Sequence, residues 1–552
     1  MQRTFRTRRL LTGVIALPLL TALLAGCSTA DPNEQAEEAS PTSGGTLIYA
    51  SGDAEPTCLD PHVGGNYPQA LVASQYLESL FTKDASGQII PWLAESTEVS
   101  EDGLTRTIKL RDSITFHDGQ KLTAEAIKAN IEHLQNPDTK SSTGYLAVGK
   151  VGEIELVDEL TAKLHLSAPD NALLESLSMP WTAIQSPQAL ERDQTTNCEA
   201  PVGTGPFQVA EWKHQESVNL TRYEDYVLPV ADPDRTTDAA YLDGITWRFI
   251  PEAATRYAAL QSGEVHVIDN AQPDTIASAE GTGLGHLDAP RPGAANRIEL
   301  NSSKAPFDDP AVREAFIRSL DVNAGIDSLF FATAPRSYSL LSSVEPLGIS
   351  DESLFSPDSA KAVQLLDAAG WSERDSEGYR VKDGQRLSLN FPVSTNQSVP
   401  AEQSLFEQIQ ASAKLAGFEV KLQLLDLSSW YGALAAHEYD LVSAPYTKVG
   451  PSVLRILYHS DSTTPAPSGY FANNAQVTNE QVDELLTQAE QTNDAAEREE
   501  LYKQAQQLVL DGYYVLPLYD QQNHFLYGKD VAGMGATTAV SSPIYHDVFL
   551  KN

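Results

Sequence analysis

Two short stretches constrain the fold of this chain more than any others. At 288–300, DAPRPGAANRIEL, proline and glycine give way abruptly to an extended segment, and at 513–522, YYVLPLYDQQ, a strand-like run follows the last helix. Two such breaks, with strand and helix patterns on both sides, read as two passages between separate bodies, the final segment returning to the first. Length points the same way, because 552 residues are too many for a single hydrophobic core.

Between the breaks, strands and helices alternate. TRTIKL (105–110), LSLNF (387–391) and FEVKLQL (418–424) have the period-two pattern of half-buried strands, and TLIYA opens a first sheet directly after Gly44 and Gly45. Helices are predicted where a capping residue precedes an apolar repeat: Thr123 before Ile127, Ile131 and Leu134, and Asp309-Pro310 before Val312, Phe316 and Leu320. Ser356-Pro357 is predicted to open another that ends before Gly370, and Asn479 and Asp494 start two more, the second stopping at Gly512. The mixture predicts an α/β protein and argues against a sandwich or a bundle.

The start of the chain reads as an export signal. Arg3, Arg6, Arg8 and Arg9 precede an apolar stretch, Leu10 to Leu24, that is too short for a spanning helix and ends in small residues. Leu24-Ala25-Gly26-Cys27 looks like a bacterial lipobox, which would make Cys27 the acylated first residue of the mature chain and residues 1–26 a signal peptide. Residues 27–43, without an aromatic or large aliphatic side chain, read as a flexible tether. Removing those four arginines from 38 basic residues leaves 34 against 75 acidic, a formal balance of −41 that makes nucleic acid an unsuitable partner.

Two cysteines remain, Cys58 and Cys198, and an even pair in an oxidising compartment suggests a disulfide. The competing idea, a metal site on Cys58 and His62, lacks further clustered ligands, and the eleven histidines are scattered, so neither metal nor cofactor is expected. GYLAVGKV (144–151) has Val151 where a phosphate-binding loop needs Ser or Thr, and DPDRTTD (232–238) lacks the glycine and glutamate of a calcium loop. A secreted hydrolase is the rival class, but no G-x-S-x-G elbow or H-E-x-x-H helix occurs, and no enzyme is expected.

Five segments in order carry a resemblance: IIPWLAESTEVSEDGLTRTIKLRDSITFHDGQKLTAEAIKANI (89–131), PVGTGPFQVAEW (201–212), LDGITWRFIPEAATRYAALQSGEVHV (242–267), APFDDPAVREAFIRSLD (305–321) and AVQLLDAAGW (362–371). The chain resembles the extracytoplasmic solute-binding proteins, family 5, of ATP-driven (ABC) importers, in the branch that includes peptide and nickel binders. That resemblance implies a two-lobed, periplasmic-binding-protein-like fold of type II (cluster C) with an extra subdomain in the first lobe. The expected divisions are lobe 1 at 44–292 with a subdomain at about 62–197, lobe 2 at 293–515, and a return to lobe 1 at 516–552. It also implies a monomer that closes on a small solute or peptide, hands it to the permease and ATPase subunits, and touches the membrane only through its lipid.

Peptide binders of this family place an acidic residue in a second-lobe cleft loop. The matching stretch here, YDLVSAPYTKVGPSVLRILYHSD (439–461), has no acid between Asp440 and Asp461, and Lys448 stands near where one is expected. Lys448 is therefore a candidate for meeting a carboxylate, with Trp430, Tyr431, Tyr446 and Thr447 as walls and hydroxyl donors. Arg336 and Tyr338, and Arg297 beside the first passage, are further candidates. Opine-like or metal-chelate ligands are thus an alternative to peptides, since a chelated metal needs contacts only to its chelator.

Overall fold

A computed structural model describes residues 41–551 other than 85, 234, 236, 396, 444, 445, 449 and 538. Cys27, the signal peptide and most of the tether lie outside the described residues. The first lobe is organised by strand Thr46–Ser51, whose Leu47, Tyr49 and Ala50 are fully buried. It lies at the centre of a seven-stranded sheet, parallel to Gly244–Phe249 on one side and to Val267–Ile268 on the other. A central strand covered on both faces has no polar side to present, which is why TLIYA lacks a clean alternation.

Between the first strand of this sheet and its edge strand Phe207–Lys213, the chain builds a separate layer. Strands Ala94–Val99, Thr105–Leu110, Val151–Leu156 and Thr161–Leu166 form an antiparallel sheet. Helix Ala124–Gln135 packs Ile127, Ile131 and Leu134 into the same core as Ile108, Leu110 and Leu164. Each such large aliphatic side chain contributes about 1.5–3 kcal/mol when removed from water. Thr123 occupies the N-cap position of that helix, but its side chain makes no capping bond, so the apolar face fixes the helix.

The second lobe has its own core, with Ile298, Phe316, Phe391, Phe406 and Leu516 among its buried members. Strand Asn296–Leu300 lies between Leu441–Ser443 and Val515–Tyr519, antiparallel to both. Strands Ser388–Ser394 and Glu419–Leu425 pair in parallel, joined through helix Pro400–Ala416 in a crossover. Helix Pro310–Arg318 starts where Asp309 accepts from the Ala311 amide at 2.9 Å, and Asn479 and Asp494 cap the two late helices. The helix predicted from Ser356 begins instead at Ser359: Asp358 accepts from the Lys361 amide at 2.9 Å, while Ser356 closes a preceding short turn.

Val515–Tyr519 lies in the same sheet as Asn296–Leu300, and the chain runs on through Asp520 and Gln521 into strand Gln522–Tyr527 of the seven-stranded sheet, while Arg291–Ala295 connects the sheets in the other direction. Strand Gln522–Tyr527 then inserts between Gly285–Pro290 and Val267–Ile268, and Phe525, Tyr545 and Val548 join the core of Leu47 and Trp247. The two passages are themselves hydrogen bonded, the Arg291 amide donating to the Gln521 carbonyl at 2.9 Å. Gly203 and Gly205 allow close packing on Tyr76: a β-carbon on Gly205 would stand 2.8 Å from the Tyr76 carbonyl carbon.

Candidate functional site

Two adjoining cavities lie where the lobes face each other. The larger, about 590 Å³, has one wall from the first lobe (residues 54–57, the turn from Val63 to Pro68, and Trp181) and one from the second. The second-lobe wall is helix Leu427–Ala435 with Asp426 before it, together with Tyr446, Thr447 and residues 468–471. Asn66 and Gln69 form a reciprocal capping box at the start of helix Tyr67–Ala73, and this holds the Tyr67 ring at the cavity. Its size and aromatic walls, Tyr67, Trp181, Tyr431, Tyr446, Tyr470 and Phe471, suit a small organic ligand.

Arg291 sits on the first passage and reaches both cavities; it is the one arginine or lysine among the described residues lining either. Its guanidinium lies 4.0 Å over the Tyr67 ring, and its Nε donates to Thr447 Oγ1 at 3.0 Å, so one side chain touches both lobes. No carboxylate among the described residues lies within ion-pair distance of it. Burial lowers its pKa, against the pull of the Tyr67 hydroxyl and Asp53. Asp53, in the smaller cavity of about 120 Å³, is raised to about 7 by burial and then by the neighbouring Asp269 charge.

The cavity acids are already engaged. Glu55 accepts from Trp212 Nε1 at 2.7 Å and from the Gln215 amide at 2.9 Å. Asp426 caps its helix, accepting from the Ser429 amide at 3.0 Å and from its hydroxyl at 2.7 Å, and these bonds lower its pKa. The larger cavity thus offers a cation with no carboxylate within ion-pair distance among the described residues, hydroxyl donors and aromatic faces. Such a set can orient an anionic group and cover an apolar one.

Residues 88–468 match the family model "Bacterial extracellular solute-binding proteins, family 5 Middle". The chain belongs to that family. The glutathione-binding protein GsiB of Escherichia coli K12 is 28% identical over 530 residues, covering 95% of each chain. NikA from Brucella suis in complex with Fe(III)-EDTA superposes with a TM-score of 0.77 at 25% identity, over 92% of this chain and 100% of that one. AgaA from A. tumefaciens R10 in complex with agropinic acid gives 0.78 at 25% identity, over 92% and 99%. The two-lobed, type II periplasmic-binding-protein architecture described above is that of these relatives.

A family 5 protein binds a small molecule or peptide and works with the permease of an ABC importer. Its relatives are extracytoplasmic transport proteins rather than enzymes, and no described helix is long and apolar enough to cross a membrane.

In this family 5 chain, the residues singled out from sequence are scattered. Tyr431, Tyr446 and Thr447 line the larger cavity. Trp430 is turned beneath it, packed with Leu434, Tyr439 and Phe471 and edge-on to Tyr431. Lys448 points away: it is 4% exposed, and its Nζ donates to Ser176 Oγ of the first lobe at 3.2 Å, near the Glu175 and Glu345 carboxylates.

Arg336 stacks on Tyr338 and donates to Asn323 Oδ1 and to the carbonyls of Pro517 and Leu518, where it braces the strand before the second passage. Arg297 is fully buried and pairs with Glu299 at 2.9 Å within the second-lobe sheet. Arg291 was missed although it stands between Pro290 and Pro292 inside the break itself. Charge on a passage between bodies was the available signal.

Proposed function

We propose that this chain is the lipid-anchored capture subunit of an ABC importer and that its cargo is a peptide-like solute bearing a carboxylate. The observation that carries the cargo reading is Arg291, held by Tyr67 and Thr447 at the cavity between the lobes with no carboxylate within ion-pair distance among the described residues. A carboxylate arriving there makes charge-assisted hydrogen bonds in a dry setting, where they are roughly twice as strong as neutral ones. Its relative GsiB, a glutathione-binding protein, supports a short peptide-like cargo. The anchor reading rests on the Leu24–Cys27 lipobox pattern. A lipid at Cys27 would raise the effective concentration of receptor and permease for one another.

Closure around the solute follows from differential affinity: a ligand touching both lobes favours the arrangement in which both are near. Calorimetry of the purified mature chain against glutathione, di- and tripeptides, opines and metal chelates tests the cargo reading. Binding confined to solutes with a free carboxylate is expected, and equal binding of their amides would overturn it. An opine or metal chelate is the second reading, favoured by the acid-free stretch between Asp440 and Asp461 and by the ligands named for AgaA and NikA.

A further inference from the structure

Asp60, His62 and His133 meet in the first lobe, outside the cavity just described. One ligand-type atom from each lies within 4.8 Å of those of the other two. Asp60 and His62 are buried, and His133 is partly so. Two separate segments supply them, the loop following Cys58 and helix Ala124–Gln135, and Ala183 and Gln185 of a third segment are hydrogen bonded around them.

The hydrogen bonds around the cluster leave its centre without a donor. His62 Nε2 donates to the Ala183 carbonyl at 2.8 Å, which commits its proton and puts the lone pair on Nδ1, and that buried atom has no partner. On His133, Nδ1 is 3.4 Å from Thr139 Oγ1, and the Thr139 hydroxyl proton is already given to the His133 carbonyl at 2.7 Å. The Nδ1 proton is therefore assigned to His133, and Nε2 is turned toward the cluster, 3.4 Å from Asp60 Oδ2. Asp60 accepts from the His62 amide, Gln185 Nε2 and Asn197 Nδ2, at 2.9, 2.7 and 2.9 Å. Of the roughly four acceptor positions on a carboxylate, that leaves one.

Two imidazoles whose outer nitrogens are tied to protein oxygens, with lone pairs turned to a carboxylate, form the outer-shell arrangement of a metal site. We propose that Asp60, His62 and His133 bind a late first-row divalent cation, for which Zn²⁺ is the natural probe. Two nitrogens and one oxygen suit Zn²⁺, and three protein ligands leave a fourth position for water. Cys58, the cysteine next to this cluster in sequence, is not a ligand because it is bonded to Cys198.

The cation would act as a staple. Val63 to Asn66, directly after His62, and Ser142 and Thr143, shortly after His133, both reach the larger cavity, and the Ser142 amide donates to the Gly64 carbonyl at 3.0 Å. Joining His62 to His133 therefore pins two adjoining pieces of the cavity wall. This inference is independent of the cargo.

The test uses the full mature chain, stripped with EDTA and dialysed against Zn²⁺. About one equivalent per chain is expected, with a melting temperature about 2–4 °C higher at saturating metal. Co²⁺ in place of Zn²⁺ is expected to give the visible absorption of a four-coordinate site. His133→Gln, at the partly exposed ligand, should fold and lose both metal signals. The proposal fails if wild type takes up no more Zn²⁺ than the His62→Gln/His133→Gln double variant, or if Co²⁺ gives the same spectrum in wild type and His133→Gln.

Discussion

The Glu175 carboxylate of the first lobe lies directly against the α-carbon of Gly450 in the second, where any β-carbon would overlap it. Glu175 also accepts from Ser452 Oγ at 2.7 Å, and next to it Lys448 reaches Ser176. Gly450 has φ +86°, so it serves both the backbone shape and the close approach of the lobes. Gly450→Ala is expected to hold the lobes apart and weaken solute affinity by about tenfold or more, equivalent to about 1.4 kcal/mol. Scattering should report a larger radius of gyration with solute present. Adding Glu175→Ala should recover part of the affinity; if Gly450→Ala alone binds normally, this contact is not part of closure.

Arg291→Ala removes the one guanidinium or ammonium that the described residues place at the cavities and should cost about 1.5–3 kcal/mol of affinity for a carboxylate-bearing solute. Arg291→Lys keeps the charge but loses the planar fork and its stacking on Tyr67, so an intermediate loss is expected. Calorimetry with the solute identified by screening decides. Affinity unchanged in both variants would remove Arg291 from recognition.

Three buried carboxyls, Asp53, Glu175 and Glu402, are raised to about 7, in each case first by burial. Between pH 4.5 and 7 the folded chain therefore holds protons at these sites that the unfolded chain has released. Their contribution to stability is present below the unfolded values, near 4, and is lost as pH rises through about 7. Thermal melts of the solute-free protein should shift downward from pH 5.5 to pH 8. Replacing Glu402 with Gln, which leaves the Asn296 side chain a neutral acceptor, should flatten the slope. A melting temperature that rises over that interval would contradict it.

Cys58 and Cys198 are bonded, closing a loop of 140 residues within the first lobe. Chain-entropy reasoning for a loop of that length gives about 5 kcal/mol as the stabilisation at stake. Cys58→Ala/Cys198→Ala should unfold at markedly lower denaturant concentration, the change falling in the first-lobe transition if the lobes melt separately. An unshifted midpoint would mean that the loop is held by packing alone, for instance by the Leu59 amide bonded to the Cys198 carbonyl at 2.9 Å.

Many of the strands and helices were legible because each depends on local pattern: TRTIKL is strand Thr105–Leu110, and Asp494 caps helix Ala495–Asp511. Family motifs identified the architecture for the same reason, being runs of contiguous residues. The cavity was only half legible. Tyr431, Tyr446 and Thr447 come from one lobe, but Tyr67 and Trp181 come from the other, hundreds of residues away, and no periodicity joins them.

Lys448 and Arg297 drew notice as cations near expected positions, yet one is bonded to the facing lobe and the other is paired inside a sheet. Charge in a sequence says nothing about which neighbour will neutralise it. The Asp60, His62 and His133 cluster was hidden likewise, since His133 reaches it from a helix that the sequence marks only by its apolar face.

In the proposed closure Arg291 would sit on the axle about which the two bodies turn, because its amide is tied to Gln521 of the neighbouring passage. A group on an axle travels least when the bodies swing. A solute entering the gaping receptor would thus meet its charge partner already in place, and the aromatic panels would arrive afterwards as a cover. Capture would be ordered, with electrostatic docking at the pivot first and enclosure second, and the first step would weaken with salt far more than the second.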